Sequence, residues 1–387
     1  MAAKRYLMTP GPTPVPPQVL AAMELPLVHH RTPEFRAVLK QLLESLPKVH
    51  RSANEVLLAT SSGTGAMDGA VANLCSPGDR VVVVSAGNFG ERWASIVEAY
   101  GCDLVNLRYE WGETPSADDL ASSLADAGGA TAVFMTQSET STGVVAPIDE
   151  LARRAAEAGA LSVVDAISSL GAVPLDTDEW GVDVVVAGSQ KALMTPPGLA
   201  TTCVSERAWA ASERATSPRF YFDWARTRKA QATEPPLTAF TPAIPLVLGL
   251  AAAVEIILGQ GLDAVFDRHR RLGRACRAGV KAMGLELFSP DDDRSAVVTA
   301  IRMPDEIDGA QVIKEISDRH SITLEGGRGA LAGRIVRIGH IGYVDVFEVM
   351  AALVAVEQVV SGLGGDVERG AAASAALEAF GGEAVRA

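Results

Sequence analysis

The chain has 387 residues, 48% of them hydrophobic and 21% charged, with a formal net charge of −13 at pH 7 and a pI near 5.0. That length exceeds the size at which one core keeps growing, so a large and a smaller domain are expected, and the apolar share excludes general disorder. The acidic balance, unbroken by a basic block, speaks against nucleic acid or an anionic membrane as partner.

Residues 1–20 open with Thr9-Pro10-Gly11-Pro12, a proline-rich segment expected to pack at the active site. Gly11 lacks the Cβ that would block close approach of its backbone to a substrate, so it is a substrate-binding candidate. The opening has no apolar core of export-signal length. His29, His30 and Arg31 have no further ligand at metal spacing and read as a loop leading into a helix. Next come a strand over 55–58, the turn Ser61-Ser62-Gly63-Thr64-Gly65 and a helix over 66–74. Such a turn offers hydroxyls and amides at a helix N-terminus, which suits a phosphate. Gly63, Gly65 and Gly69 do not make G-x-G-x-x-G, and no G-x-x-x-x-G-K-[ST] occurs, so nucleotide cofactors lose ground.

Apolar strand-like runs follow at 81–84, 132–135, 161–164, 184–187 and 200–204, separated by helical stretches such as 148–157. That alternation predicts βαβ units and a mostly parallel sheet. A polar, proline-containing segment over 217–242 interrupts it, with Phe220 to Trp224 expected as a packed loop near the site. The apolar stretch 246–254 meets Glu255, is too short to span a bilayer and reads as a buried helix. An arginine-rich helix over 262–283 follows, its Arg268 to Arg274 expected to be solvated. Strand 297–301, helix 309–317, strand 335–338 and helix 344–360 then form an α+β module. The expected organisation is a large domain at 21–260, a small one at 261–363, and a flexible, frayed or weakly helical tail at 364–387. Cys75, Cys102, Cys203 and Cys276 lack C-x-x-C spacing and suit free thiols in a cytoplasmic protein.

The chemistry gathers at two strand ends. Asp165 closes the run 161–164, and Lys191, in Ser189-Gln190-Lys191, follows the run 184–187, so the two are 26 residues apart (165 to 191). That gap fits one crossover between neighbouring parallel strands, whose carboxyl ends border the crevice where open α/β sheets bind ligands. A desolvated lysine loses its proton easily and condenses with a carbonyl. Pyridoxal 5′-phosphate (PLP) needs such a pair: a lysine to hold its aldehyde, and a carboxylate to keep its pyridine nitrogen protonated.

The phosphate turn, the segment Glu139-Thr140-Ser141-Thr142-Gly143, the run from Val163 to Gly171, Ser189 to Leu193 and the late Arg337-Ile338-Gly339-His340-Ile341-Gly342 resemble class V PLP-dependent aminotransferases, in the alanine–glyoxylate and serine–glyoxylate (serine–pyruvate) branch. The resemblance runs from about Leu7 to Leu363. It implies an α/β protein of the type I PLP-dependent transferase fold, with a mostly parallel seven-stranded sheet and a smaller α+β C-terminal domain. Lys191 then resembles the lysine bound to the cofactor aldehyde, and Asp165 the partner of the ring nitrogen. Ser62, Gly63, Thr64 and Gln190 resemble phosphate ligands. Thr140 resembles the residue on the ring hydroxyl, Phe89 the aromatic stacked on the ring, and Ile167 the cover of its other face. Thr238 and Thr241 resemble residues reaching the phosphate from the second subunit of a homodimer. Arg337 resembles the clamp on the substrate carboxylate, where a planar guanidinium gives two parallel hydrogen bonds.

The activity so implied is transfer of an amino group from a small amino acid such as alanine or serine to glyoxylate or pyruvate, with ping-pong kinetics. Aspartate and ureidoglycine donors remain open. A cysteine desulfurase would carry histidine before the lysine, where Gln190 stands, and a mobile-loop cysteine that 325–333 lacks. A PLP-sensing regulator would need a DNA-binding module, for which there is neither spare length nor basic charge.

Overall fold

The computed structural model describes residues 4–381. Its centre is a seven-stranded sheet made of β1 (Val56–Ser61), β2 (Arg80–Ser85), β3 (Asp103–Arg108), β4 (Ala132–Thr136), β5 (Leu161–Asp165), β6 (Val184–Gly188) and β7 (Gly198–Val204). The spatial order is β1-β7-β6-β5-β4-β2-β3. Strands β2 to β6 pair in parallel, whereas β7 runs antiparallel to both β6 and β1.

Strands β4, β5 and β6 are buried at every residue, because helices cover both faces. Val82 and Val84 enter the core under helices Pro33–Val49, Ile148–Glu157 and Ile244–Gln260. Val81 and Val83, one step out of phase, enter the core under helices Gly63–Leu74 and Asn88–Ala99. Two-sided burial is why these strands read as unbroken apolar runs rather than as alternation. The helix Ile244–Gln260 is the buried one expected, and among the described residues no single helix is long and apolar enough to cross a membrane.

The crossover from β5 to β6 carries Asp165 and Lys191 as their spacing required. Asp165 lies opposite Val186, and Lys191 sits in the turn after β6. No α-helix lies between the two strands, only successive turns.

The smaller unit is an antiparallel sheet of β8 (Glu286–Leu287), β9 (Val298–Arg302), β10 (Glu325–Gly326) and β11 (Ile335–Gly339), in the order β8-β9-β11-β10. Helices Leu262–Ala282, Gly309–His320 and Val346–Gly362 pack on it around their own core. The N-terminal segment joins this unit: Tyr6 and Leu7 pair in parallel with Ile322 and Thr323, and the Gly339 amide donates to the Met8 carbonyl at 2.7 Å. A Cβ on Gly339 would lie 2.2 Å from the backbone of Thr9, so glycine is what lets the two chains touch. The segment then runs directly to the active-site lysine.

Two expectations differ from the structure. The chain past Gly364 carries a helix, Ala371–Gly381, whose Ala372 and Ala376 are buried in the small-domain core; its small residues permit close docking on helix Leu262–Ala282. The remainder of the expected tail, 382–387, lies outside the described residues. Arg268, Arg270, Arg271 and Arg274 are half-buried rather than solvated. Arg268 donates to the carbonyls of Gly342 (2.9 Å) and Val344 (3.2 Å), and Arg271 to that of Phe380. The antiparallel β7 leaves the sheet mostly parallel, as expected.

Candidate active site

Lys191 and Asp165 line one cavity of about 170 Å³ at the carboxyl ends of β5 and β6. Both are buried, Asp165 at 3% exposure and Lys191 at 9%. The Lys191 Nζ donates to the Pro10 carbonyl at 2.7 Å, the backbone N–H of Ile167 donates to Asp165 Oδ1 at 2.8 Å, and the N-terminal segment closes over the lysine. Gly11 has φ +134°, and a Cβ there would stand 2.4 Å from Nζ, so its expected close approach is made to the lysine itself. Burial lowers the Lys191 pKa to about 8; Asp165 opposes this, while Arg337 and Arg328 add to it. Burial likewise raises the Asp165 pKa to about 7, opposed by the Ile167 amide and helped by Glu139. Both shifts favour the neutral forms, and a protonated pyridine nitrogen beside Asp165 would draw its carboxyl back to the carboxylate that accepts from it.

At the other end of the cavity, Ser62 caps helix Gly63–Leu74, its Oγ accepting from the Gly65 amide at 3.3 Å. The first amides of that helix are left without partners inside it and face a site bordered by Ser62, Thr64 and Gln190. A Cβ on Gly63 would meet Ile167 Cδ1 at 2.5 Å, so glycine makes room for the isoleucine beside the turn. Gln190 Oε1 is buried with no hydrogen-bond partner. An orphaned polar atom, a helix N-terminus and a lysine–carboxyl pair in one cavity fit a phosphate-bearing pyridine aldehyde. The loop from Phe220 to Trp224 packs on this helix, as expected: Asn73 donates to the Phe222 carbonyl at 2.6 Å.

Phe89 lines the same cavity from the first turn of helix Asn88–Ala99. Gly87 offers that helix no capping side chain. The buried carboxylate of Glu139 supplies the cap instead, accepting from the amides of Phe89 (2.8 Å) and Gly90 (3.1 Å). A Cβ on Gly87 would come 2.5 Å from Glu139 Cγ, so the glycine admits the glutamate. Burial raises the Glu139 pKa, opposed by these amides and by Ser141. This positioning role for Glu139 was not legible, although its segment was singled out.

Arg337 is 2% exposed and lies one layer behind the cavity. It donates to the carbonyls of Thr140 (2.6 Å) and Gly326 (2.7 and 2.9 Å) and pairs with Glu325 at 3.3 Å. Burial lowers its pKa to about 10, which leaves it cationic. Thr140 therefore meets Arg337 through its carbonyl, and neither residue borders the cavity directly. Thr238 and Thr241 line a separate hollow with Tyr221 and Phe240 and do not meet Lys191 of their own chain. Sequence reasoning passed over Pro10, Arg92, Ser138, Ser168 and Arg328. The last four border the cavity; Arg92 bonds Thr64 Oγ1 at 3.0 Å and lies over the Phe89 ring.

A family model described as "Aminotransferase class-V" matches residues 5–342. The chain is a class V aminotransferase. Its cofactor is PLP, in keeping with the lysine–carboxyl cavity. This aminotransferase is similar to a protein named "Soluble hydrogenase, small subunit" from Synechococcus sp. (41% identity over 367 residues, 94% of this chain and 95% of that one). It is also similar to L-aspartate–glyoxylate aminotransferase of Paracoccus denitrificans (36% over 386 residues, 98% and 97%). The solved structure of ureidoglycine–glyoxylate aminotransferase from Bacillus subtilis superposes with a TM-score of 0.93 at 30% identity, covering 98% of this chain and 99% of that one.

Proposed function

We propose that this aminotransferase moves the amino group of a small amino acid, with alanine and serine as first donors, to glyoxylate or pyruvate. The observation that carries the reading is that Lys191 and Asp165, both buried, line one cavity with the Pro10–Gly11 backbone closing over the lysine. Glyoxylate as acceptor is supported by the names of the Paracoccus and Bacillus relatives. PLP, when bound, supplies an electron-withdrawing ring that takes up the charge left at the substrate α-carbon.

The protein's own residues divide the remaining work. Lys191 Nζ, its pKa lowered to about 8, would be the group that takes up and gives back the proton at the substrate α-carbon. Asp165 holds the proton on the ring nitrogen. Ser62, Gly63, Thr64 and Gln190 seat the phosphate, and Phe89 and Ile167 enclose the ring and exclude water. Thr140 is assigned the ring hydroxyl and Arg337 the substrate carboxylate, roles in which both would turn from their mutual contact one layer behind the cavity to face it. One site serves amino donor and oxo-acid acceptor in turn, which gives ping-pong kinetics. We assign a cytoplasmic homodimer in which Thr238 and Thr241 of one copy complete the phosphate site of the other. Phe220 (67% exposed) and Tyr221 (42%) beside them are apolar surface that a second copy would cover.

The test mixes the PLP-loaded protein with single amino acids and follows the absorbance of the lysine–cofactor imine. The reading expects a small amino acid to bleach the band and glyoxylate or pyruvate to restore it. A band that no amino acid bleaches contradicts it.

A further inference from the structure

Four cationic side chains stand at the cavity or one layer behind it, and three already have partners. Lys191 donates to Pro10, Arg92 is held by Thr64 Oγ1 and the Phe89 ring, and Arg337 is engaged by Thr140, Gly326 and Glu325. Arg328 borders the same cavity as Lys191, yet among the described residues its guanidinium has no hydrogen-bond or ion-pair partner. It is exposed and stands at the start of the Gly329–Leu331 turn, two positions beyond β10, whose Gly326 carbonyl receives Arg337. The end of β10 and the turn after it thus bring two guanidinium groups together, Arg328 at the cavity wall and Arg337 one layer behind it. A donor with one carboxylate satisfies only one of them. Their like charges repel, which favours an anion beside Arg328 at the cavity wall.

We propose that Arg328 determines donor specificity by pairing with a second carboxylate at the far end of the amino donor, which makes the preferred donor a dicarboxylic amino acid of the aspartate type. The proposal rests on the transaminase reading and, within it, puts a dicarboxylic donor ahead of alanine and serine. A guanidinium fork matches a carboxylate with two parallel charge-assisted hydrogen bonds, and rejects a donor that leaves it unpaired. The chemistry of transfer is unchanged: the α-amino nitrogen passes to the 2-oxo acid acceptor, water supplies the oxo oxygen left on the donor, and a dicarboxylic 2-oxo acid is released.

The experiment uses the PLP-loaded enzyme and the bleaching half-reaction with aspartate, glutamate, alanine and serine, for the natural protein and for Arg328→Gln and Arg328→Lys. The natural enzyme is expected to favour a dicarboxylic donor. In Arg328→Gln the ratio of aspartate to alanine efficiency should fall roughly 10- to 100-fold, mainly through a higher KM for aspartate, with partial rescue in Arg328→Lys. An equal loss for both donors would overturn the proposal and give Arg328 to the α-carboxylate shared by all donors. Turnover of alanine but not aspartate by the natural enzyme would also overturn it, leaving the transaminase reading intact. Failure of every amino acid to bleach the band would remove both.

Discussion

Replacing Lys191 with alanine lowers kcat by roughly 10³- to 10⁴-fold while cofactor stays bound. The loss is large because nothing nearby can take over. The other cations bordering the cavity, Arg92 and Arg328, carry guanidinium groups that do not give up a proton near neutral pH. Asp165 is committed to its own end of the cavity, anchored by the Ile167 amide. Cofactor retention follows from the separate phosphate end, where Ser62, Gly63, Thr64 and Gln190 are untouched by the change. Steady-state rates together with cofactor released on denaturation check both halves; near-natural turnover would refute the assignment of Lys191.

Acidification costs the cofactor-free protein about 2 kcal/mol of stability between about pH 7.5 and about pH 5.5. His50, His269 and His340 are fully buried, and burial lowers each pKa from 6.5 to about 3. The structure uses them neutral: the Gly342 amide donates to His269 Nε2 at 3.0 Å, leaving its Nδ1 to donate to the Val265 carbonyl at 2.7 Å. As pH falls below 6.5 the unfolded chain binds three protons that the folded chain refuses, a cost of about 4 kcal/mol over the interval. Asp165 acts in the opposite sense. Its folded pKa of about 7 lies above the unfolded 3.8, so the folded chain binds one proton more in this range and offsets about 2 kcal/mol. Urea unfolding at the two pH values measures the difference; equal or greater stability at the lower one would contradict it.

The large domain was legible because two-sided burial leaves a plain trace. Val81 to Val84 and Val184 to Ala187 have no polar face to hide, and a gap of one crossover between Asp165 and Lys191 means neighbouring parallel strands. Direction is not written in such a run, so β7 could not be told as antiparallel. The edge strand β3, Asp-Leu-Val-Asn-Leu-Arg, is only partly buried and went unremarked. The phosphate turn was readable because its chemistry is local. Arg268 and Arg328 were not, since a solvated arginine and one that meets distant carbonyls or a cavity have the same local sequence. Arg337 was assigned by its motif, yet its contacts with Thr140 and Gly326 arise only when β10 and β11 pair beside the large domain.

Borohydride reduction of the PLP-loaded protein, followed by peptide mapping, tests the central claim most directly. The account predicts that a yellow protein loses its imine absorbance and that the reduced cofactor is found on Lys191. Cofactor fixed instead to another lysine such as Lys40, Lys229 or Lys281, or a protein that stays colourless with PLP supplied, would contradict it.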